Sequence, residues 1–196
     1  MTAPTVYLAS RSARRRELLA LARIVFDLLD LEIDESPHPG EQARGYVSRM
    51  ADEKCAAGWA IVAAQGKLRR PVLAADTAVV LDGRILGKPA DAADAHAMLR
   101  SLAGRRHEVL TAVTVIHEQR MERLCSCSAV QFGSMAEADI RRYVDSGEPM
   151  DKAGAYAVQG GAQQFIERVE GSVSGIMGLP LYETLALLGR FGVAAR

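Results

Sequence analysis

The fold of this chain is decided by the stretch TVYLASRSARRRELLAL, residues 5–21, where a short apolar run changes into a helical pattern. Thr5 to Ala9 predicts a buried strand, and Arg14 to Leu21 predicts a helix whose leucines form an apolar face. Ser12 has the residue type and the place of an N-cap for that helix. The stretch therefore predicts a strand that leads directly into a helix, as in an α/β fold.

The junction between this strand and this helix also has a composition that suits phosphate. Two small hydroxyl residues, Ser10 and Ser12, stand there among four arginines. Short side chains let the backbone approach a ligand, a helix start presents unpaired N–H groups, and a guanidinium group bonds two phosphate oxygens at once. A solvated basic turn would have the same composition, so the stretch alone leaves both interpretations open.

Charge is balanced over the whole chain but segregated in its first part. Lys and Arg together number 24, as do Asp and Glu, so we expect no general attraction to nucleic acid or to an anionic membrane. Five arginines between Ser10 and Arg23 are followed by five acids between Asp27 and Glu35. Neighbouring basic and acidic groups suit a polyphosphate with its divalent cation, although two solvated faces would give the same pattern.

The sequence shows no pattern of export or membrane insertion. Residues 1–6 lack a basic segment that leads into a long apolar one, and no apolar run approaches the ~20 residues that cross a bilayer. The three cysteines lack C-x-x-C spacing, which argues against a disulfide framework or a thiolate zinc site. We therefore expect a soluble, cytoplasmic protein.

The rest of the chain alternates predicted strands and helices. Strands are predicted at 24–31, 70–81, 84–87, 108–116 and 123–132, with a hairpin turn at 82–83, and helices at 42–64, 91–102 and 181–188. Gly104 suits the residue that closes the helix over 91–102. The sequence Ser-Met-Ala-Glu from Ser134 predicts a capping box and a helix to about Ser146. This order predicts an α/β fold with one long mixed sheet, in one domain or in one domain folded as two lobes about a cleft.

Asp76 is the second strong signal, because it interrupts an apolar strand. A carboxylate at the edge of a buried strand is costly unless it is paired, protonated or bound to a metal ion. Asp76 is therefore a candidate metal ligand or general base, with a turn that supplies backbone hydrogen bonds as the alternative. Glu35 ends the acidic run, Lys54 lies on the long helix, and Lys88 stands in a Gly-Lys-Pro turn. Each of these three is a weaker candidate by itself.

A third loop, DKAGAYAVQGG from Asp151 to Gly161, combines opposite charges, glycines, an aromatic residue and an amide. This composition suits a loop that closes around a base and its sugar, and an ordinary surface loop is the alternative. Gln159 offers both a donor and an acceptor to the edge of a base. The chain has no H-x-x-x-H, H-E-x-x-H, P-loop, Rossmann or Gly-x-Ser-x-Gly motif, which argues against the sites that those motifs define.

Taken in order, seven motifs of this chain resemble the Maf family of nucleoside triphosphate pyrophosphatases. They are Leu-Ala-Ser-Arg-Ser-Ala-Arg-Arg from Leu8, Ile-Asp-Glu-Ser from Ile33, Glu53-Lys54, Ala-Asp-Thr from Ala75, Gly-Lys-Pro from Gly87, Asp-Lys-Ala-Gly-Ala-Tyr from Asp151 and Gly-Leu-Pro-Leu from Gly178. The resemblance implies one domain over residues 1–196, with a long curved mixed sheet flanked by helices and two lobes around a central nucleotide cleft. It also implies kinship with the fold of inosine triphosphate pyrophosphatases.

The resemblance further implies a reaction and roles for individual residues. The family hydrolyses a nucleoside triphosphate to the monophosphate and pyrophosphate with a divalent cation, Mg²⁺ or Mn²⁺. By position, Asp76 would be the proton acceptor, and Asp76 and Glu35 would hold the metal ion. The residues that would hold phosphate are Ser10, Arg14, Arg15, Lys54 and Lys88.

Within the family, three positions resemble the branch that acts on dTTP and UTP. They are Arg14, Thr77 and Gln159, which we expect to determine substrate choice. The alternatives are a pyrophosphatase for purine triphosphates (inosine, xanthosine or 7-methyl-GTP) and a non-catalytic nucleotide-binding regulator of cell division. Ala13 in place of the usual proline, and the residues 172–175, depart from the family pattern. The sequence leaves open whether the chain forms a homodimer.

Overall fold

The computed structural model describes residues 5–194, and a single seven-stranded sheet runs through that range. The strands are β1 (Val6–Ala9), β2 (Phe26–Leu29), β3 (Val72–Leu81), β4 (Arg84–Leu86), β5 (Arg106–His117), β6 (Arg120–Phe132) and β7 (Ile166–Glu170). The helices are α1 (Ala13–Leu21), α2 (Ala43–Ala64), α3 (Ala92–Leu102), α4 (Glu137–Asp145), α5 (Val173–Ile176) and α6 (Leu181–Gly189). A mixed sheet flanked by helices confirms the predicted α/β class.

The strand order is β2-β1-β3-β5-β6-β7, with β4 paired to β3. β1 is parallel to β2 and β3, whereas the remaining pairs are antiparallel. The parallel pairs need crossover connections, and α1 and α2 provide them. Within residues 5–194, none of the helices is both long and apolar enough to cross a bilayer.

The middle of β3 separates the hydrophobic cores on both faces of the sheet. On the face that α2 covers, Ala74 and Ala78 belong to different hydrophobic clusters, and Asp76 lies between them. On the opposite face, Ala75 and Val79 belong to two further clusters, with Thr77 between them. Successive side chains of a strand point to opposite faces. The polar pair therefore interrupts apolar packing on both faces at the same level of the sheet.

Several local predictions are confirmed because their signals are short-range. The Ser12 side chain caps α1 by accepting a hydrogen bond from the backbone N–H of Arg15. Asp82 and Gly83 both have positive φ, 50° and 77°, as a tight turn between antiparallel strands requires. Gly104, with φ 68°, follows the last residues of α3. β5 and β6 extend beyond the predicted bounds because the turn that joins them is only two residues long.

Two predictions about the second half of the chain are wrong or incomplete. The capping box is not formed, because α4 begins at Glu137 with Ala136 at the N-cap and no side-chain cap. The Glu137 carboxylate instead lies 2.7 Å from His96 Nε2 on α3, so it does not turn back to Ser134. The strand β7 was not predicted, although it forms an edge of the sheet against β6. Its sequence IERVE has three charged residues in five, so pairing with β6 rather than its own pattern defines it.

Gly58 brings α2 close to β1 and β3. A Cβ atom added at Gly58 would lie 2.9 Å from Ala9 Cβ and 3.0 Å from Val72 Cγ1. We expect Gly58→Ala to lower the free energy of unfolding by ~1–3 kcal/mol, because overpacking exceeds the ~1 kcal/mol that alanine contributes to helix propensity. Denaturant unfolding measures the change.

Gly45 is the matched control, because it lies on the same helix with no neighbour closer than 4.0 Å to an added Cβ. Gly45→Ala is expected to raise the free energy of unfolding by up to ~1 kcal/mol through helix propensity alone. Equal effects of the two substitutions would show that the approach of α2 to β1 does not limit stability.

Candidate active site

A cleft of about 960 Å³ opens at the level where Asp76 and Thr77 interrupt the apolar packing of β3. Its walls come from the loop after β1, the segment before α2, β3, the turn after β4, and the loop that follows α4. The predicted site residues all line this cleft: Ser10, Arg14, Arg15, Glu35, Lys54, Asp76, Thr77, Lys88 and Gln159. The structure thus brings together every residue that the sequence singled out.

Asp76, Lys54 and Glu35 form a linear ionic cluster in the cleft. Lys54 Nζ lies 2.6 Å from Asp76 Oδ1 and 2.6 Å from Glu35 Oε1. Asp76 and Lys54 are buried, whereas Glu35 is about half exposed. Asp76 comes from the centre of β3 and Lys54 from the buried face of α2, next to Met50, Ala51 and Cys55. The packing of α2 on the sheet therefore determines the geometry of this cluster.

The charges around Glu35 keep its carboxylate ionised. Burial by itself would raise the pKa of Glu35, but the hydrogen bond from Lys54 and the charges of Lys54, Lys88 and Arg15 bring that pKa below its ordinary value. The hydroxyl of Tyr46 donates a hydrogen bond to the Glu35 backbone carbonyl at 2.9 Å. Burial, followed by the charges of Asp76 and Glu35, raises the pKa of Tyr46 to about 12, so this phenol stays protonated at neutral pH.

Arg15 is the buried arginine of the cleft, and its guanidinium group joins three segments of the chain. Its Nε donates to the Gly178 carbonyl at 2.8 Å, Nη1 donates to Ser10 Oγ at 3.3 Å, and Nη2 donates to Thr77 Oγ1 at 3.3 Å. Burial lowers the pKa of Arg15, and the negative charges of Asp76 and Glu35 oppose that change. Gly178 has φ 115°, and a Cβ there would lie 3.4 Å from Arg15 Nε, so a glycine suits this contact.

Hydrogen-bond directions in the cleft can be assigned through Thr77. Thr111 Oγ1 donates to the Gly175 carbonyl at 2.8 Å, which uses the one hydroxyl proton of Thr111. The 2.9 Å contact between the two threonine hydroxyls is therefore donated by Thr77 and accepted by Thr111. Since the Thr77 proton is used in this way, its oxygen is left to accept from Arg15. Thr77 thus fixes one end of the Arg15 guanidinium.

The remaining predicted residues, Lys88, Gln159 and Arg14, are less enclosed than Arg15. Lys88 and Gln159 are exposed on the cleft wall. Arg14, in the first turn of α1, has its Nη1 3.8 Å from Asp151 Oδ2, which links the start of α1 to the third loop at 151–161. The backbone N–H of Gly154 donates to the Gly87 carbonyl at 3.0 Å, so the turn that carries Lys88 is attached to the same third loop.

Sequence reasoning missed three contributors to the cleft: Tyr46, Thr111 and Gly178. Tyr46 lies within the predicted helix over 42–64, and the sequence gives no sign that its hydroxyl reaches the Glu35 carbonyl. Thr111 stands directly opposite Thr77 in the pairing of β5 with β3, so register is the signal that could have found it. Gly178 lies in the Gly-Leu-Pro-Leu motif, but the sequence gives no sign that its carbonyl holds Arg15.

Glu35 and Asp76 are the residues that would hold a divalent cation. Mg²⁺ is commonly bound through one or two carboxylates together with substrate phosphates and water. The carboxylates of Glu35 and Asp76 fit that kind of site, because one oxygen of each already contacts the same positive group, the Lys54 ammonium. Between residues 5 and 194 no group of three or more His, Cys, Asp and Glu side chains is arranged to hold a metal ion. The protein would thus supply only part of the coordination.

These features define a class of protein: an α/β protein with a cleft that presents basic groups and a carboxylate pair, as a site for a phosphorylated ligand with a cation requires. A family model described as Maf-like protein matches residues 5–191. The chain belongs to the Maf-like protein family.

Two relatives share one name. A protein of Chromobacterium violaceum named dTTP/UTP pyrophosphatase is 49% identical over 187 residues, which cover 95% of this chain and 94% of the relative. A protein of Burkholderia pseudomallei with the same name is 53% identical, with coverage of 97% and 95%. The solved structure of the Staphylococcus aureus Ham1 protein covers 82% of this chain and 90% of its own, with 13% identity and a TM-score of 0.44.

Proposed function

We propose that this protein hydrolyses dTTP and UTP to the nucleoside monophosphate and pyrophosphate. The observation that carries the proposal is the cluster of Asp76, Lys54 and Glu35 in a cleft whose walls also bear Arg14 and Arg15. A site with both signs of charge suits a triphosphate that arrives with a divalent cation. The family membership and the shared name of relatives about half identical to this chain support the choice of reaction.

The proposed roles follow from the positions of the side chains. The five residues assigned to the phosphates are Ser10, Arg14, Arg15, Lys54 and Lys88. The positive charges of the two arginines and two lysines would neutralise charge that develops on the phosphate oxygens, which is the main electrostatic contribution in such displacements, and the Ser10 hydroxyl would add a hydrogen bond. Asp76 would accept the proton of the attacking water, and Glu35 and Asp76 would hold Mg²⁺ or Mn²⁺. When bound, the cation supplies Lewis-acid stabilisation of the phosphates.

The proposed substrate choice depends on Arg14, Thr77 and Gln159. Gln159 is exposed on the cleft wall and offers both hydrogen-bond roles to the edge of a pyrimidine base. Thr77 would act through the Arg15 guanidinium that it holds. Arg14 would act at the junction of the first and third loops, where it faces Asp151.

A nucleotide panel tests the function. Purified protein with Mg²⁺ is incubated separately with dTTP, UTP, dCTP, ITP, XTP and 7-methyl-GTP, and both pyrophosphate and orthophosphate are measured. We expect dTTP and UTP to give pyrophosphate fastest. Preference for ITP, XTP or 7-methyl-GTP would replace the pyrimidine assignment with a purine one. Orthophosphate as the only inorganic product, or nucleotide binding without turnover, would reject the pyrophosphatase proposal.

Gln159→Glu tests the reading of the base. A carboxylate at this position only accepts hydrogen bonds and repels the triphosphate, so we expect kcat/KM for dTTP and UTP to fall by about tenfold, the value of one lost hydrogen bond with its partner left unpaired. Gln163→Glu is the control, because it makes the same change of charge at an exposed residue outside the cleft. An unchanged order of preference across the panel in Gln159→Glu would remove Gln159 from the specificity residues.

Three further expectations stay predictions: a cytoplasmic location, the absence of a nucleic-acid partner, and the division of one domain into two lobes around the cleft. The interruption of apolar packing at Asp76 and Thr77 supports the last of them. Gel-filtration chromatography would decide whether the chain forms a homodimer.

A further inference from the structure

Lys54 occupies the place between the two carboxylates that are proposed to hold the divalent cation. Its ammonium nitrogen is 2.6 Å from Glu35 Oε1 and 2.6 Å from Asp76 Oδ1. The Lys54 and Asp76 side chains are each 10% exposed, so solvent weakens this contact little. The Lys54 ammonium thus occupies the place that a cation bound by both carboxylates would take, so the metal binding predicted for Glu35 and Asp76 requires Lys54 to leave them.

We propose that Lys54 keeps a divalent cation off Glu35 and Asp76 until nucleotide phosphates accept its ammonium group, so that cation and nucleotide bind together. The inference deepens the proposed function and rests on it for the identity of the nucleotide. No covalent bond forms or breaks in the proposed exchange. Lys54 gives up its hydrogen bonds to carboxylate oxygens and forms hydrogen bonds to phosphate oxygens.

A comparison of the hydrogen-bond partners of Arg15 and Lys54 indicates that Lys54 is the side chain that changes its partners. Arg15 donates to a backbone carbonyl and two hydroxyls, neutral acceptors that attract a divalent cation less strongly than carboxylates do. Lys54 Nζ has its close contacts with the two carboxylates, which a divalent cation would attract more strongly. A lysine ammonium is a compact charge on a flexible stem, so it can move between carboxylate and phosphate without moving α2.

The charge balance supports the same exchange. Glu35 and Asp76 contribute two negative charges, Lys54 contributes one positive charge, and the charges of Lys88 and Arg15 also act on Glu35. A second cation therefore meets repulsion at this site in the absence of phosphate. The phosphates of a nucleotide bring negative charge that favours both Lys54 and the divalent cation in the same cleft.

Titration with Mn²⁺ alone, without nucleotide, tests the proposal. Binding to the full-length protein and to its Lys54→Gln and Lys54→Met variants is measured by calorimetry and by the electron paramagnetic resonance signal of free Mn²⁺. We expect both variants to bind Mn²⁺ about tenfold or more tightly than the unmodified protein, because a positive charge next to the carboxylates has been removed. The amide of Lys54→Gln still donates hydrogen bonds to the carboxylates, so this variant keeps the test informative if Lys54→Met does not fold.

Lys67→Met is the matched control, because Lys67 follows the same helix and lies on the wall of a different cavity. It should bind Mn²⁺ as weakly as the unmodified protein does. Adding Glu35→Gln to Lys54→Gln should abolish the gain in affinity. Equal or weaker Mn²⁺ binding in both Lys54 variants would overturn the proposal. This result is independent of the nucleotide panel, so a failure of the proposed substrate and a failure of the Lys54 exchange are distinguishable.

Discussion

Asp76→Asn is expected to lower turnover of dTTP and UTP by about 10³-fold, within the range assigned to the loss of a general base. The substitution removes a negative charge from the centre of the ionic cluster and leaves Glu35 as the one carboxylate in contact with Lys54. It therefore removes both proposed functions of Asp76, as proton acceptor and as metal ligand. Initial rates of pyrophosphate release with Mg²⁺ measure the effect.

The fold is expected to survive this substitution. Asparagine has nearly the same shape, its side-chain oxygen still accepts a hydrogen bond from Lys54, and the backbone pairing of residue 76 with Ala112 is unaffected. We expect the free energy of unfolding to change by no more than about 1 kcal/mol, because a hydrogen bond to a charged acceptor is replaced by one to a neutral acceptor. Circular dichroism and thermal unfolding separate loss of activity from loss of structure.

Asp52→Asn is the matched control for Asp76→Asn. Asp52 is likewise paired with a basic side chain: it accepts a hydrogen bond from Thr114 at 2.7 Å and pairs with Arg123 at 2.9 Å, but it is less buried than Asp76 and does not line the cleft. Asp52→Asn should keep its rate within about twofold of the unmodified protein, as surface changes remote from a site usually do. A rate for Asp76→Asn in that same range would exclude Asp76 as the proton acceptor and as an essential metal ligand.

The sequence predicted those parts of the fold whose signals lie within a few residues. The Ser12 cap, the Asp82-Gly83 turn and Gly104 are each determined by local backbone chemistry. β7 could not be predicted in this way, because its strand character depends on the edge of β6, which is distant in sequence. The capping box at Ser134 was wrong for the same reason: Glu137 found a tertiary partner, His96, that the local pattern does not include.

For the site, the sequence predicted residues that all line one cleft, but not the contacts between them. Arg14 and Arg15 are equivalent in the printed sequence, yet one is bonded at three points and the other lies near the third loop. The burial of Arg15 could have been predicted from the sequence. Arg15 precedes Leu18 and Leu19 by three and four residues, so it shares their buried face of α1. The contact of Lys54 with both carboxylates had no such local signal, since α2 must first pack on β3 to create it.

Arg15→Lys is expected to lower kcat/KM for dTTP and UTP by about 10²-fold, although the charge is conserved. The guanidinium fork holds three diverging acceptors, at Ser10, Thr77 and Gly178, and a single ammonium does not span them. The first loop, β3 and the segment after α5 would lose their common link, and a displacement of about 1 Å in a phosphate site is enough for an effect of this size. Steady-state kinetics with dTTP and UTP measure it.

Arg16→Lys is the control for this prediction, because Arg16 neighbours Arg15 on α1 but is exposed and does not line the cleft. It is expected to change kcat/KM by less than about twofold, as ordinary surface substitutions do. A second comparison, Thr77→Val, removes one of the three acceptors while Arg15 is retained, and its effect should be smaller than that of Arg15→Lys. If Arg15→Lys and Arg16→Lys gave equal rates, the charge of Arg15 alone would be sufficient, and the three-point anchoring would have no part in catalysis.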